Sequence, residues 1–275
     1  MPAGASMTAK QSAPSAGSLP PSRSGDQMKR VHTPQMDVRY WAAITLASVF
    51  GTNMGDLYAH KSGLGIGMGL VVLALLAAAV FLLERFDDHR REIYYWLVIL
   101  LIRTGATNIA DYSAYRLRVP GLPLTLGTAA LIGLFGWMSS RRARGPEHTP
   151  GLPGTNAAYW LAMLSAGIFG TVLGDICEHA FGEGFAALAL GAILLLALLA
   201  GYRRAAQWAV GYWSIIAVAR TTGTAIGDWV AENKIIPIGL PLATLLSATA
   251  FVLVLLAWGR GDKGAGRLEA DGNRA

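Results

Sequence analysis

Four aspartates and four threonines recur in this sequence at one fixed spacing. Each Asp follows a Thr by four residues, and a Gly or Ala precedes every one of these positions. The threonines are Thr52, Thr107, Thr171 and Thr224, and the aspartates are Asp56, Asp111, Asp175 and Asp228. Carboxylates and hydroxyls are hard oxygen ligands for cations such as Mg²⁺ and Mn²⁺, and closely spaced carboxylates share protons. The pattern therefore predicts an ion pathway or an ion site.

Two histidines extend this pattern in the first and third copies. His60 follows Asp56 by four residues, and His179 follows Asp175 by four. On a helix this spacing puts both side chains on one face, where they could bind a metal ion such as Mn²⁺ or Zn²⁺ together. A transported divalent metal ion is therefore one candidate for the cofactor or cargo. The alternative is that both histidines are solvated at the end of their helices.

Two arginines precede the threonines of the second and fourth copies. Arg103 lies four residues before Thr107, and Arg220 lies four residues before Thr224. Fixed positive charges inside an apolar segment would raise the energy barrier of a simple cation pore. We therefore expect both arginines to be charge partners of the aspartates in a gated carrier. They could equally bind an anionic substrate. The structural alternative is that Arg–Asp pairs and threonine bonds to the backbone only lock helices together.

These residues lie on segments that are too apolar for a soluble protein. Charged residues make up 15% of the 275-residue chain, against roughly 25% in soluble domains. Cys177 is the only cysteine, which excludes an intrachain disulfide. Eight segments approach the length of a membrane span, which needs about 20 apolar residues. They are approximately 40–60, 64–84, 94–115, 120–138, 157–179, 184–202, 209–231 and 236–258.

A Tyr-Trp pair precedes each threonine and defines a repeat. Every Tyr lies 12 residues before a Thr and 16 before an Asp; the pairs are Tyr40-Trp41, Tyr95-Trp96, Tyr159-Trp160 and Tyr212-Trp213. The fold class predicted is all-α, a polytopic membrane protein of eight transmembrane helices arranged as four tandem two-helix repeats. Copies one and three share the His, and copies two and four share the Arg. The two halves of the chain are therefore related by a pseudo-twofold symmetry, with a weaker fourfold symmetry among the four copies.

The repeats give the domain boundaries. We expect a first half at 38–138 and a second half at 157–258, with a cytoplasmic linker at 139–156. The polar ends, 1–37 and 259–275, are predicted to be disordered tails, and 1–37 lacks the apolar region of a signal peptide.

The basic residues predict the orientation. The tails and the links between repeats hold 17 of the 23 Lys and Arg residues, whereas the turns within repeats hold four. By the positive-inside rule, both termini and the Tyr-Trp ends are cytoplasmic. We expect the Tyr-Trp pairs, with Trp137 and Trp258, to form an aromatic belt at that membrane surface.

The repeats resemble those of a family of bacterial integral membrane proteins. That family is built of four tandem two-helix repeats of unknown function, each with a Trp and a Gly-Asp or Ala-Asp motif. The resemblance covers about residues 38–258. It implies the same architecture and a bacterial inner-membrane location, and it carries no established activity.

Our functional hypothesis is a transporter of a small ion, either a divalent cation or a proton-coupled substrate. The partners expected are the lipid bilayer and the ion, and no nucleic acid. No nucleophile–base set is present, so we do not expect an enzyme. The alternative is a membrane scaffold or sensor subunit whose polar stripes hold helices together.

Overall fold

The computed structural model describes residues 34, 36–63, 65–87, 92–142, 155–205, 208–233 and 238–272. Eight α-helices and no β-strand occur in these ranges, and a π-helical segment, Tyr112–Arg116, extends the third helix. The helices are α1 (Val38–Lys61), α2 (Gly65–Phe86), α3 (Glu92–Asp111), α4 (Gly121–Arg142), α5 (Ala157–Phe181), α6 (Glu183–Ala205), α7 (Ala209–Glu232) and α8 (Gly239–Gly272). The predicted all-helical class is confirmed.

Six helical segments are long and apolar enough to cross a membrane. They are Gly65–Phe86, Glu92–Arg116, Gly121–Arg141, Ala157–Phe181, Glu183–Ala200 and Gly239–Ala257. The protein is therefore a membrane protein by the length and composition of its helices. Helices α1 and α7 do not meet this criterion because they carry the Ser, Thr, Asn, Asp and Arg side chains of the core.

The four helices that begin with Tyr-Trp pack in a closed cycle. Helix α1 contacts α3 and α7, and α5 contacts the same two helices. Each remaining helix packs mainly against the Tyr-Trp helix of the following repeat, and α8 packs against α1. About half of α1, α3, α5 and α7 is buried, whereas only Gly69 and Leu73 of α2 are. The polar motif therefore lies on the inner helices.

Local signals fix where several helices begin. Asp37 and Asn156 cap α1 and α5, because their side-chain oxygens accept hydrogen bonds from the backbone N–H of Tyr40 and Tyr159, at 2.9 and 3.0 Å. Pro123 and Pro241 lie in the first turns of α4 and α8, where a missing N–H costs little. These caps fix the start of two of the four Tyr-Trp helices.

Two predictions about the chain ends and the aromatic residues need correction. Helix α8 continues as far as Gly272 and so overlaps the predicted tail at 259–275; no proline interrupts it, and Arg, Lys, Leu, Glu and Ala favour helix there although the glycines at 259, 261, 264 and 266 do not. Most of the predicted 1–37 tail and of the 139–156 linker lies outside the described residues. The Tyr-Trp pairs do not form a lipid-facing belt, since all four tyrosines are buried. Trp137 is exposed, and the side chain of Trp258 lies outside the part that the structure describes.

Candidate ion site in the bundle core

Arg103 lies at the centre of the four inner helices. Its guanidinium group is fully buried. It donates hydrogen bonds to all four motif threonines, and we call these four residues the threonine centre. Nη1 donates to Thr107 at 2.8 Å and to Thr171 at 2.9 Å. Nη2 donates to Thr52 and to Thr224, both at 2.6 Å. Because the two Nη atoms carry four hydrogens, each hydrogen has one hydroxyl, and each hydroxyl comes from a different repeat.

The threonine hydroxyls are oriented to accept a cation. Thr52, Thr107 and Thr224 each donate their own hydrogen to the backbone carbonyl four residues earlier, at 3.1, 3.5 and 3.2 Å. Their lone pairs are then left for the guanidinium. The threonine centre is thus a set of neutral oxygens that surround and bind one positive charge.

Arg220 holds the equivalent position in the fourth repeat and has different partners. Its Nη1 donates to Ser48 Oγ at 3.1 Å, and its Nη2 lies 3.8 Å from Met163 Sδ. Its Nε has no hydrogen-bond partner among the residues that the structure describes. The group is fully buried, and no carboxylate of the described residues lies within 4.0 Å of it. Arg220 lies near the four tyrosines of the Tyr-Trp pairs, so it differs from Arg103 in both partners and surroundings.

Those tyrosines form a closed square of hydroxyl groups on the Tyr-Trp side of the core. Tyr40 bonds to Tyr95 at 2.9 Å and to Tyr212 at 2.6 Å, and Tyr159 bonds to the same two residues at 2.6 and 2.8 Å. Each hydroxyl can donate once and accept once, so all four are satisfied without water. We call this arrangement the tyrosine square. It closes the bundle axis at that end.

The four motif aspartates lie one helical turn beyond the threonine centre, and we call them the acidic mouth. All four are half-buried. Each interacts electrostatically with Arg103, yet none forms an ion pair with Arg103 or Arg220 within 4.0 Å among the residues described. The predicted charge partners are therefore not in direct contact with the aspartates, because hydroxyl groups bind Arg103 instead.

The histidines lie apart from this centre. His60 and His179 are exposed, and their Nδ1 atoms bond to the backbone oxygens of Asp56 and Asp175, at 2.8 and 2.7 Å. In the described ranges, no three His, Cys, Asp or Glu side chains come together as a metal-binding group. The structure therefore brings no metal ligand set together around His60 or His179.

Several core residues could not be recognised from the motif alone. Ser48 and Met163 contact Arg220, but neither type recurs at its position in the other repeats. Asn53 and Asn108 are buried beside the threonines, and Asn108 donates to the Gly55 carbonyl at 3.3 Å. A signal was present for the tyrosine square, since every repeat carries Tyr rather than Phe.

Comparison with protein families agrees with this repeat. The family model described as Repeat of Unknown Function (DUF347) matches residues 39–87 and 211–263. The first match spans α1 and α2, and the second falls on α7 and α8. The chain therefore carries this repeat in its first and fourth units, and the resemblance to a repeat family of unknown function is confirmed. Neither the curated proteins nor the solved structures gave a match.

Proposed function

We propose that this protein is a carrier of a small monovalent cation and that Arg103 holds its cation site closed. In this proposal all eight helices cross the membrane as four pseudo-symmetric repeats, with both termini in the cytoplasm of a bacterial cell. Six apolar helices and the distribution of Lys and Arg support this topology. Helices α1 and α7 would cross at the centre, where the other helices shield their polar side chains.

The observation that carries the proposal is the binding of one cation by four threonines. The guanidinium of Arg103 is a tethered positive charge in a shell of neutral oxygens from four different helices. If Arg103 moves away, the same oxygens are available to a free cation. Divalent ions usually require carboxylate ligands. A singly charged ion therefore fits the threonine centre better than the Mg²⁺, Mn²⁺ or Zn²⁺ considered from the sequence.

The acidic mouth supplies the step that would release Arg103. Its carboxylates already attract the guanidinium, and four residues of helix separate them from the threonines by about 6 Å. A swing of the Arg103 side chain towards them would exchange four neutral ligands for anionic ones. An incoming cation would then occupy the threonine centre, and its departure would let Arg103 return. Passage to the other side would further require the tyrosine square to open.

Ion flux into proteoliposomes tests this proposal. The wild-type protein should carry Na⁺, K⁺ or H⁺ and should not carry Mg²⁺, Mn²⁺ or Zn²⁺. Arg103→Gln should raise the monovalent flux, because the tethered charge is lost and the shorter, neutral amide side chain leaves the threonine hydroxyls free. Arg220→Gln is the matched control, because the Arg220 guanidinium bonds to Ser48 and Met163 rather than to the threonine centre, and its flux should stay at the wild-type level. Thermal stability measured in the same detergent shows whether each variant is folded.

A structural role is the second candidate, and a specific observation favours it. The four Nη hydrogens of Arg103 and the four tyrosine hydroxyls are all satisfied within the protein, so both groups also act as clamps between helices. A scaffold would show no flux of any of these ions in the wild type or in Arg103→Gln. Its Arg103→Gln variant would lose thermal stability without any gain in flux.

A further inference from the structure

A pocket lies beside the acidic mouth, between the π-helical end of α3, the start of α4 and the last turns of α5. Its volume is about 460 Å³, which is within the usual range of small-molecule sites, about 300–1,000 Å³. Gly121, Val172 and Ile176 form apolar walls, and Tyr115, Asp175 and His179 supply the polar and aromatic groups. This set of groups is not used by the threonine centre.

The π-helical segment places Tyr115 at this pocket. Tyr115 follows Asp111 by four residues, at the position where the first and third repeats carry His60 and His179. Here the backbone bond from Leu117 N–H reaches back five residues to the Tyr112 carbonyl, at 3.0 Å, which widens the helix. Single π turns of this kind are frequent at functional sites. The second repeat therefore contributes an aromatic face where the first and third contribute imidazole.

The polar atoms of the pocket are hydrogen-bond acceptors. His179 Nδ1 lies 2.7 Å from the Asp175 carbonyl oxygen, which can only accept, so Nδ1 carries the hydrogen. In the neutral imidazole Nε2 is then an acceptor. The Asp175 carboxyl group is a second acceptor, and it carries a negative charge when it is deprotonated. An acidic group, an imidazole acceptor, an aromatic face and apolar walls together fit a ligand with N–H donors, a positive charge and a short apolar portion.

We propose that this pocket binds an organic primary ammonium group, carried by a free alkylamine or by the headgroup of an aminolipid. The ammonium donates to Asp175 and His179 Nε2 and lies against the Tyr115 ring, while its carbon chain contacts Val172 and Ile176. A bare metal ion is the poorer fit, because no third ligand of the described residues joins the Asp and His. This proposal does not depend on the proposed carrier function, because binding of the amine can be measured at equilibrium without any ion flux.

Calorimetric titration with n-butylammonium, on the full chain in maltoside detergent, tests the pocket. The wild type should bind this amine and should not bind n-butanol, which has the same chain without the charge. Asp175→Asn should weaken binding about tenfold, the value of one charge-assisted hydrogen bond. Tyr115→Ala should weaken it about two- to fivefold, and Tyr115→Phe should retain it, because the aromatic face is kept.

The first and third repeats provide a matched control. His179→Gln should weaken binding, whereas His60→Gln, at the equivalent position outside the pocket, should leave it unchanged. Equal losses in these two variants, unchanged binding in a folded Asp175→Asn protein, or no binding by the wild type would overturn the proposal. Added phosphatidylethanolamine should displace the amine if the natural ligand is a lipid headgroup. If phosphatidylethanolamine and phosphatidylglycerol both leave binding unchanged, the ligand is a free amine.

Discussion

The side chain of Arg103 packs directly on the backbone of Gly51 in the neighbouring inner helix. A β-carbon at position 51 would overlap Arg103 Cγ. The third and fourth repeats show the same relationship, since a β-carbon at Gly170 would lie 2.6 Å from Arg220 Cβ. The small residue before the motif Thr is therefore required so that the arginine of the next repeat can reach the bundle axis.

Gly51→Ala should displace Arg103 and destabilise the bundle. Overpacking of a filled core typically costs about 1–3 kcal/mol, so thermal unfolding in detergent should occur at a lower temperature. Gly127→Ala is the control, because a β-carbon on that residue of α4 would meet no atom within 4 Å. We expect it to be neutral or slightly stabilising. Equal stability of the two variants would show that the Gly51 contact does not constrain Arg103.

The two buried arginines should respond oppositely to an apolar substitution. Arg103→Met removes four charge-assisted hydrogen bonds, whereas Arg220→Met removes one hydrogen bond and a weak sulfur contact. A buried charge without a counter-charge is costly, so its apolar replacement is often neutral or stabilising. We expect Arg220→Met to keep or raise the unfolding temperature. The free energy of unfolding of Arg103→Met should be lower than that of Arg220→Met by about 2–3 kcal/mol. The reverse order would contradict this description of the core.

Opening the tyrosine square should destabilise the closed bundle. Tyr95→Phe removes one hydroxyl and leaves Tyr40 and Tyr159 one partner short, which typically costs about 1–3 kcal/mol. Tyr58→Phe is the matched control, because the Tyr58 hydroxyl is buried and has no hydrogen-bond partner in the described part of the chain. Its removal should be neutral or stabilising. Thermal stability of the two proteins decides between these expectations, and no loss in Tyr95→Phe would mean that the square does not hold the helices.

The orientation of the chain predicts which positions an impermeant thiol reagent reaches. With Cys177 replaced by Ser, His148→Cys in the linker should resist labelling in intact cells, because we place the linker in the cytoplasm. Lys61→Cys, in the turn within the first repeat, should react. Both positions should react after the cells are permeabilised. The opposite labelling pattern in intact cells would reverse the proposed topology.

The periodic recurrence of the motif was sufficient to predict the helices and the inner position of the polar residues. The spacing of four residues places the Thr and the Asp of every copy, such as Thr52 and Asp56, on one helical face. A face of this polarity is excluded from lipid. The same polar side chains explain why α1 and α7 are less apolar than a membrane span usually requires. Recurrence at one repeat position also brings equivalent side chains to one level, as the threonine centre and the tyrosine square show.

Contacts between non-equivalent residues could not be predicted in this way. The partners of Arg103 depend on how far its side chain extends along the bundle axis. The sequence alone does not decide between the hydroxyl of Thr107 and the carboxylate of Asp111, which both follow Arg103 on the same helix. Ser48 and Met163 break the repeat, so no periodic pattern marks them as partners of Arg220. The π turn at Tyr112–Arg116 likewise has no periodic signal, yet it builds the pocket around Tyr115.

The central claim is that the four threonine hydroxyls form a cation site that Arg103 occupies. The most direct test is an experimental structure of Arg103→Ala prepared in Rb⁺, with the anomalous signal of rubidium used to locate the ion. We predict a rubidium peak among the Oγ1 atoms of Thr52, Thr107, Thr171 and Thr224. A folded Arg103→Ala protein with only water between these hydroxyls, or with the helices collapsed onto the vacated space, would contradict the claim.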